Sequence, residues 1–147
     1  MLKFLLVFLL LSLLALLLMS LWHRPTRLRP PEQRLIQPCP NTPNCVSSRA
    51  EDEIHRVEPL PILGDADSSW HRLLSVIEAE GGDVVVDDGQ YLHAVFESRW
   101  LRFRDDLEAV LETDRIDLRS ASRAGRSDFE VNRNRVERIR RRYLRED

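Results

Sequence analysis

"DVVVDDGQYLHAVFES", residues 83–98, decides the fold class. A short β-branched run, Val84 to Val86, meets Asp88-Gly89, a dipeptide suited to the left-handed positions of a tight hairpin turn. The chain then alternates. Leu92, Ala94 and Phe96 fall on one side, and Tyr91, His93, Val95 and Glu97 on the other. The stretch therefore reads as an antiparallel hairpin with one apolar face seeking a covering layer.

Working outward, "WLRFRDDLEAVLE" (100–112) reads as a third strand, with a bulge expected near Asp105 where the apolar phase changes. "RIDLRSAS" (115–122) reads as a fourth, with Ile116 and Leu118 inward. Upstream, "IHRVEPL" (54–60) alternates in part and reads as a short edge strand ended by Pro59. In "DSSWHRLLSVIEAEGG" (67–82), Trp70, Leu73, Leu74 and Ile77 recur at i, i+3, i+4 and i+7, the stripe of a helix buried on one side. Asp65 or Asp67 supplies its N-cap, and Gly81 and Gly82 stop it. A last helix runs from about Asn132 to Leu144 with Val136, Ile139 and Tyr143 on its inner side. Strand, helix, three or four antiparallel strands and helix make a two-layer α+β domain.

The 147 residues divide into three parts. From Phe4 to Trp22 only Ser12 and Ser20 are polar and nothing is charged, and a helix of that length spans roughly 30 Å. Residues 1–22 are accordingly expected to form an uncleaved transmembrane signal-anchor, so the expected fold class is an N-terminal transmembrane helix followed by the two-layer domain. Residues 23–38 begin a proline-rich spacer, with Pro25, Pro30, Pro31 and Pro38 followed by Pro40 and Pro43. Residues 39–147 form the globular part.

The only two cysteines lie in "CPNTPNCVSS", residues 39–48. Cys39 and Cys45 either close a small disulfide ring, which persists in an oxidising compartment, or remain two thiols in a loop. The ring is the expectation, and with it an inner-membrane protein whose domain is periplasmic. Lys3 before the apolar run and Arg24, Arg27 and Arg29 after it argue weakly for the opposite orientation. A C-x5-C spacing without a second pair does not make a zinc site, and no metal or other cofactor is expected.

Net charge is −2, but the balance is uneven along the chain. Residues 51–114 hold 17 acids against 5 arginines, whereas residues 115–147 hold 11 arginines against 6 acids. An acidic body of that kind opposes nucleic-acid binding, which needs a contiguous basic face. An anionic small molecule or a lipid headgroup is the expected class of ligand, with the membrane as the other partner; the oligomeric state is not legible.

"RSASRAGRSDFEVNRNRVE", residues 119–137, is the densest polar stretch. Ser120, Ser122, Arg123, Ser127, Asp128, Asn132, Arg133 and Arg135 crowd one strand-to-helix connection with Gly125 at its bend. Hydroxyls, guanidinium groups and free N–H groups at a helix start suit an anion cradle; equally, Asp128 and Asn132 suit a loop that satisfies itself. Asp105 and Asp106 are further candidates, but neighbours on a strand point to opposite faces, which disfavours a shared proton. His93, on an alternating strand, reads as a surface or packing histidine and not as a base. No nucleophile elbow, P-loop or dinucleotide glycine pattern is present.

"CPNTPNCVSS", "RFRDDLEAVL" and "IDLRSASRAGRSDFEVNRNRVERIR", in that order, resemble the bacterial and plant family catalogued as domain of unknown function 1499, over about residues 37–144. The resemblance implies an exported or membrane-tethered domain and carries no activity. The expected function is thus a membrane-anchored envelope protein acting as a binding or scaffold domain. The alternative is an enzyme acting on an anionic substrate, with Arg123, Arg133 and Arg135 as clamps and Asp105 or Asp128 as base.

Overall fold

In the computed structural model, residues 2–21 and 36–145 are described, the side chains of 2 and 19–21 excepted. Helix α1 (Leu2–Leu21) is followed by β1 (Cys45–Ser47), β2 (Leu60–Pro61), α2 (Ala66–Ala79), β3 (Asp83–Asp87), β4 (Tyr91–Glu97), β5 (Arg104–Leu111), β6 (Arg115–Ser122) and α3 (Val131–Tyr143). The strands form one antiparallel sheet in the order β1-β6-β5-β4-β3, with β2 pairing β6 beyond the end of β1.

The expected fold class is corrected at its N-terminus. Among the described residues, no helix is long and apolar enough to cross a membrane. Helix α1, Leu2–Leu21, carries the cationic Lys3 in its first turn. The proline-rich spacer falls mainly on residues 22–35, outside the described residues.

Both α2 and α3 lie on one side of the sheet. Trp70, Leu73 and Ile77 of α2 and Val136, Ile139 and Tyr143 of α3 join Leu92, Ala94, Phe96, Leu107, Ala109 and Leu118 in one core. The spacing that made these helices amphipathic is the reason they lie side by side over the apolar face of β4–β6. Asp65 caps α2 by accepting from the Ser68 backbone N–H at 2.9 Å. Gly82 admits the close approach of α2 to the sheet: a β-carbon there would come within 2.7 Å of both Ile77 and Phe96.

Two local expectations change. Residues 54–60 form no strand apart from β2's first residue, because Arg56 makes only an isolated bridge to Ser47 and the ladder is taken up by Leu60–Pro61. The edge strand is instead β1, which includes Cys45. The bulge lies in β3, between Val84 and Val86, while β5 keeps unbroken register through Asp105 and Asp106. The phase change in the sequence there reflects polar residues placed on both faces, not an extra residue.

The far face of the sheet is also largely buried. Tyr91 and Val110 pack with Ile36 and Val86, and the rest of that face is closed by ion pairs. Tyr91 Oη donates to Glu108 at 2.8 Å, and Arg119 reaches the other oxygen of Glu108 at 3.0 Å.

Candidate functional site

Cys39 and Cys45 form a disulfide, with their Cα atoms 5.7 Å apart. The ring holds Asn44 over the connection between β6 and α3. Asn44 Nδ2 donates to the Gly125 carbonyl at 2.8 Å, and the Asn44 carbonyl accepts from the Ser122 N–H at 2.9 Å and from Asn132 Nδ2 at 3.2 Å. Gly125 has φ +79°, a conformation that a side chain would strain. The cysteine segment and the arginine-rich segment, far apart in sequence, are thus two halves of one hydrogen-bonded seam.

Asn132 is the centre of that seam and is fully buried. Its Oδ1 accepts from Ser120 Oγ at 2.5 Å and from Arg135 Nη1 at 2.6 Å. Its Nδ2 reaches Ser122 Oγ at 2.9 Å and Asp128 Oδ2 at 2.7 Å. Asp128 Oδ2 also accepts from the Asn132 backbone N–H at 2.8 Å, so Asp128 ties down the first turn of α3. Arg135 closes the network by donating from Nη2 to Asp105 at 2.6 Å, with its guanidinium 4.5 Å from the Phe96 ring centroid. Burial without a partner would be costly for each of these groups, and each spends its bonds on another.

The remaining candidates lie elsewhere. Asp106 points to the opposite face, as alternation along β5 requires. There it accepts from Arg123 Nε at 2.9 Å and Nη2 at 2.6 Å, and from His93 Nε2 at 2.7 Å. Burial pushes the Asp106 carboxyl up, but His93 and Arg123 outweigh it and hold the group at about 2. An ionised carboxylate only accepts, so the hydrogen between the two must sit on His93 Nε2. His93 Nδ1, buried, has no hydrogen-bond partner among the described residues. Arg133 turns outward and donates to the Arg56 carbonyl at 2.8 Å and the Ile54 carbonyl at 2.6 Å. Ser127 is exposed and makes a long contact, 3.4 Å, with the Phe129 N–H. The three arginines expected to clamp an anion therefore point in three directions.

Sequence reasoning missed two buried carboxylates. Asp117, 1% exposed, accepts from Ser48 Oγ at 2.9 Å, Arg49 Nε at 2.6 Å and Arg115 Nε at 3.1 Å. Burial raises its pKa, and Arg49, Ser48 and Arg115 together bring it below the ordinary value. Glu108 sits between Tyr91 and Arg119. The available signal was their position: both are acids on the strand face opposite the apolar set. Among the described residues no group of histidine, cysteine and carboxylate side chains is arranged to hold a metal.

Directly above Asp105 and Ser122 lies a cleft of about 420 Å³. It opens between the β4–β5 loop and the β6–α3 loop, and Leu101, Phe103, Ala124, Phe129 and Val131 supply most of its wall. The polar groups at its floor are already engaged in the seam, so what the cleft offers a ligand is apolar surface with serines at the rim. A volume of that size is in the range of small-molecule sites.

The family model described as "Protein of unknown function (DUF1499)" matches residues 35–142. The chain belongs to this family. The match takes in both halves of the Asn132 seam and every strand of the sheet. No curated protein and no solved structure matches the chain.

Proposed function

We propose that this DUF1499 domain is a binding module of an oxidising envelope compartment, taking an apolar group into the cleft between the β4–β5 and β6–α3 loops. One observation carries the proposal: the groups that would do acid–base or anion-clamping chemistry are bonded to one another beneath the cleft, while its wall is apolar. The disulfide supports placing the domain outside the cytosol. An enzyme using Arg123, Arg133 and Arg135 as a clamp finds no support, since the three are spent on Asp106, on backbone carbonyls and on Asp105.

A fluorescent apolar probe such as anilinonaphthalene sulfonate tests the cleft in lipid-free solution. Saturable binding at one site per chain is expected, with loss of binding in Ala124→Phe, which fills the cleft, at unchanged thermal stability. Equal binding by Ala124→Phe, or turnover of an ester or phosphate substrate that disappears in Asp105→Asn, would overturn the proposal. For the compartment, thiol reagents should label protein isolated from its native cell only after reduction.

A further inference from the structure

The two ends of the sheet differ in kind. At one end the β3–β4 and β5–β6 turns carry Asp87, Asp88, Glu112 and Asp114. At the other end the β4–β5 loop presents Trp100, 84% exposed, and the β6–α3 loop presents Phe129, 89% exposed. Outside α1 these are the exposed aromatic side chains among the described residues, and both sit at the tips of neighbouring loops. Val131 is half-exposed beside them, and Leu101 and Phe103 line the cleft between them.

Cations accompany the aromatics. The Arg99 guanidinium lies 5.5 Å from the Trp100 ring centroid, and Arg126 is exposed on the partner loop. Arg102 and Arg104 are matched by Glu97 at 2.9 Å each, which leaves Arg99 and Arg126 as the outward cations of the two loop tips, with Glu130 the exposed acid beside Phe129. Leu16 of α1 lies at the same cleft.

We propose that this end of the domain docks on an anionic lipid bilayer, with Trp100 and Phe129 inserted at the headgroup level and Arg99 and Arg126 against lipid phosphates. Tryptophan and phenylalanine at the tips of protruding loops can enter the interfacial layer, where an aromatic ring is apolar on its faces and tolerates nearby water. Cations flanking them are attracted by the negative surface potential of anionic lipids, within a Debye length. The acidic turns at the opposite end are repelled by the same potential, so a single orientation is selected. A flat protein partner would leave the recess between the two tips unfilled, whereas lipid flows around separate protrusions. This inference rests on the loop tips and stands whether or not the cleft itself takes a ligand.

The test uses the full-length chain, mixed with vesicles of phosphatidylcholine alone or with phosphatidylglycerol added, prepared with brominated acyl chains that quench tryptophan emission on contact. The wild type is expected to be quenched on the anionic vesicles, with the Trp100 share of that quenching missing in Trp100→Phe and reduced in Phe129→Ser. Arg99→Glu with Arg126→Glu should lower the quenching on anionic vesicles and leave the neutral ones unaffected, and added salt should imitate that change. All of these positions are exposed, so folding is retained, and near-ultraviolet circular dichroism verifies it. Quenching equal in wild type and Trp100→Phe means that lipid meets α1 or another tryptophan instead, and overturns the proposal. So does continued access of Trp100 to aqueous acrylamide in the presence of anionic vesicles, the result expected if these tips meet a protein.

Discussion

Asp105 and Asp106 are chemical twins one residue apart on β5, yet the sheet assigns them opposite environments. Asp105 faces the helices, where it pairs with Arg135, itself held by Asn132 and Ser120, and its side chain is only 10% exposed at the floor of the cleft. Asp106 faces the other way and holds Arg123 and His93 at a partly open surface, its side chain 24% exposed. Each carboxylate has an arginine at 2.6 Å, so distance does not distinguish them. What differs is what remains if the arginine is removed. On the inner side a charge is stranded in the core; on the outer side a second partner and water remain.

That difference predicts the largest effect. Arg135→Ala should destabilise the domain by about 3–5 kcal/mol, the cost of breaking a buried pair from one side. Arg123→Ala should cost only about 1 kcal/mol, because His93 stays with Asp106 and solvent can enter. Urea unfolding of the two variants measures the contrast, and equal midpoints would break it. The disulfide belongs to the inner side, since its ring positions Asn44 against Gly125 and Asn132. Cys39→Ser with Cys45→Ser should therefore lower stability by about 2 kcal/mol, from the loop entropy returned to the unfolded chain. Reductant added to the wild type should reproduce the loss.

The outer pair has its own signature in acid. The Asp106 pKa falls from 3.8 to about 2 on folding, so the folded state favours the ionised form. The stabilisation is fully present above pH 4 and is lost as pH falls towards 2, with a size on the order of 2 kcal/mol. Asp106→Asn should flatten that part of the stability–pH curve. A curve unchanged by the substitution would mean that His93 and Arg123 do not stabilise the carboxylate.

The two layers of the domain were legible because periodicity alone reports which side of an element is apolar. Trp70, Leu73 and Ile77 on α2 and Leu92, Ala94 and Phe96 on β4 are found where their spacing put them. Opposite orientation of Asp105 and Asp106 followed from the same rule. The seam was legible only as a crowd of polar residues, since nothing local tells Arg135, which turns into the core, from Arg133, which turns to the 54–56 backbone. Asn44 was hidden for the same reason: its partners, Gly125 and Asn132, are contacts across the chain. β1 escaped notice because three residues are too few to show alternation. At the N-terminus, apolar composition predicted a span, and among the described residues no helix meets the length and apolarity that crossing requires.

The smallest predicted effect has the opposite sign and concerns the loop joining the inner network to the cleft. Phe129 and Glu130 have φ of 54° and 64°, two successive side-chain-bearing residues in the left-handed region. Asp128 holds them there by accepting from the Glu130 N–H at 3.2 Å and from the Asn132 N–H at 2.8 Å. A left-handed residue with a β-carbon costs roughly 1–2 kcal/mol, and glycine removes that cost while adding entropy to the unfolded chain. Phe129→Gly should therefore leave stability unchanged or raise it by up to about 1 kcal/mol, since 89% of the ring is exposed and little packing is lost. Urea unfolding reads that gain, and vesicle binding by the same variant reads its consequence. If Phe129→Gly is at least as stable as the wild type yet docks less well on anionic lipid, the strain is retained for the ring at the loop tip. If it is markedly less stable, Phe129 belongs with the Asn132 seam as a packing residue, and the boundary between the closed interior and the open end has to be drawn further out.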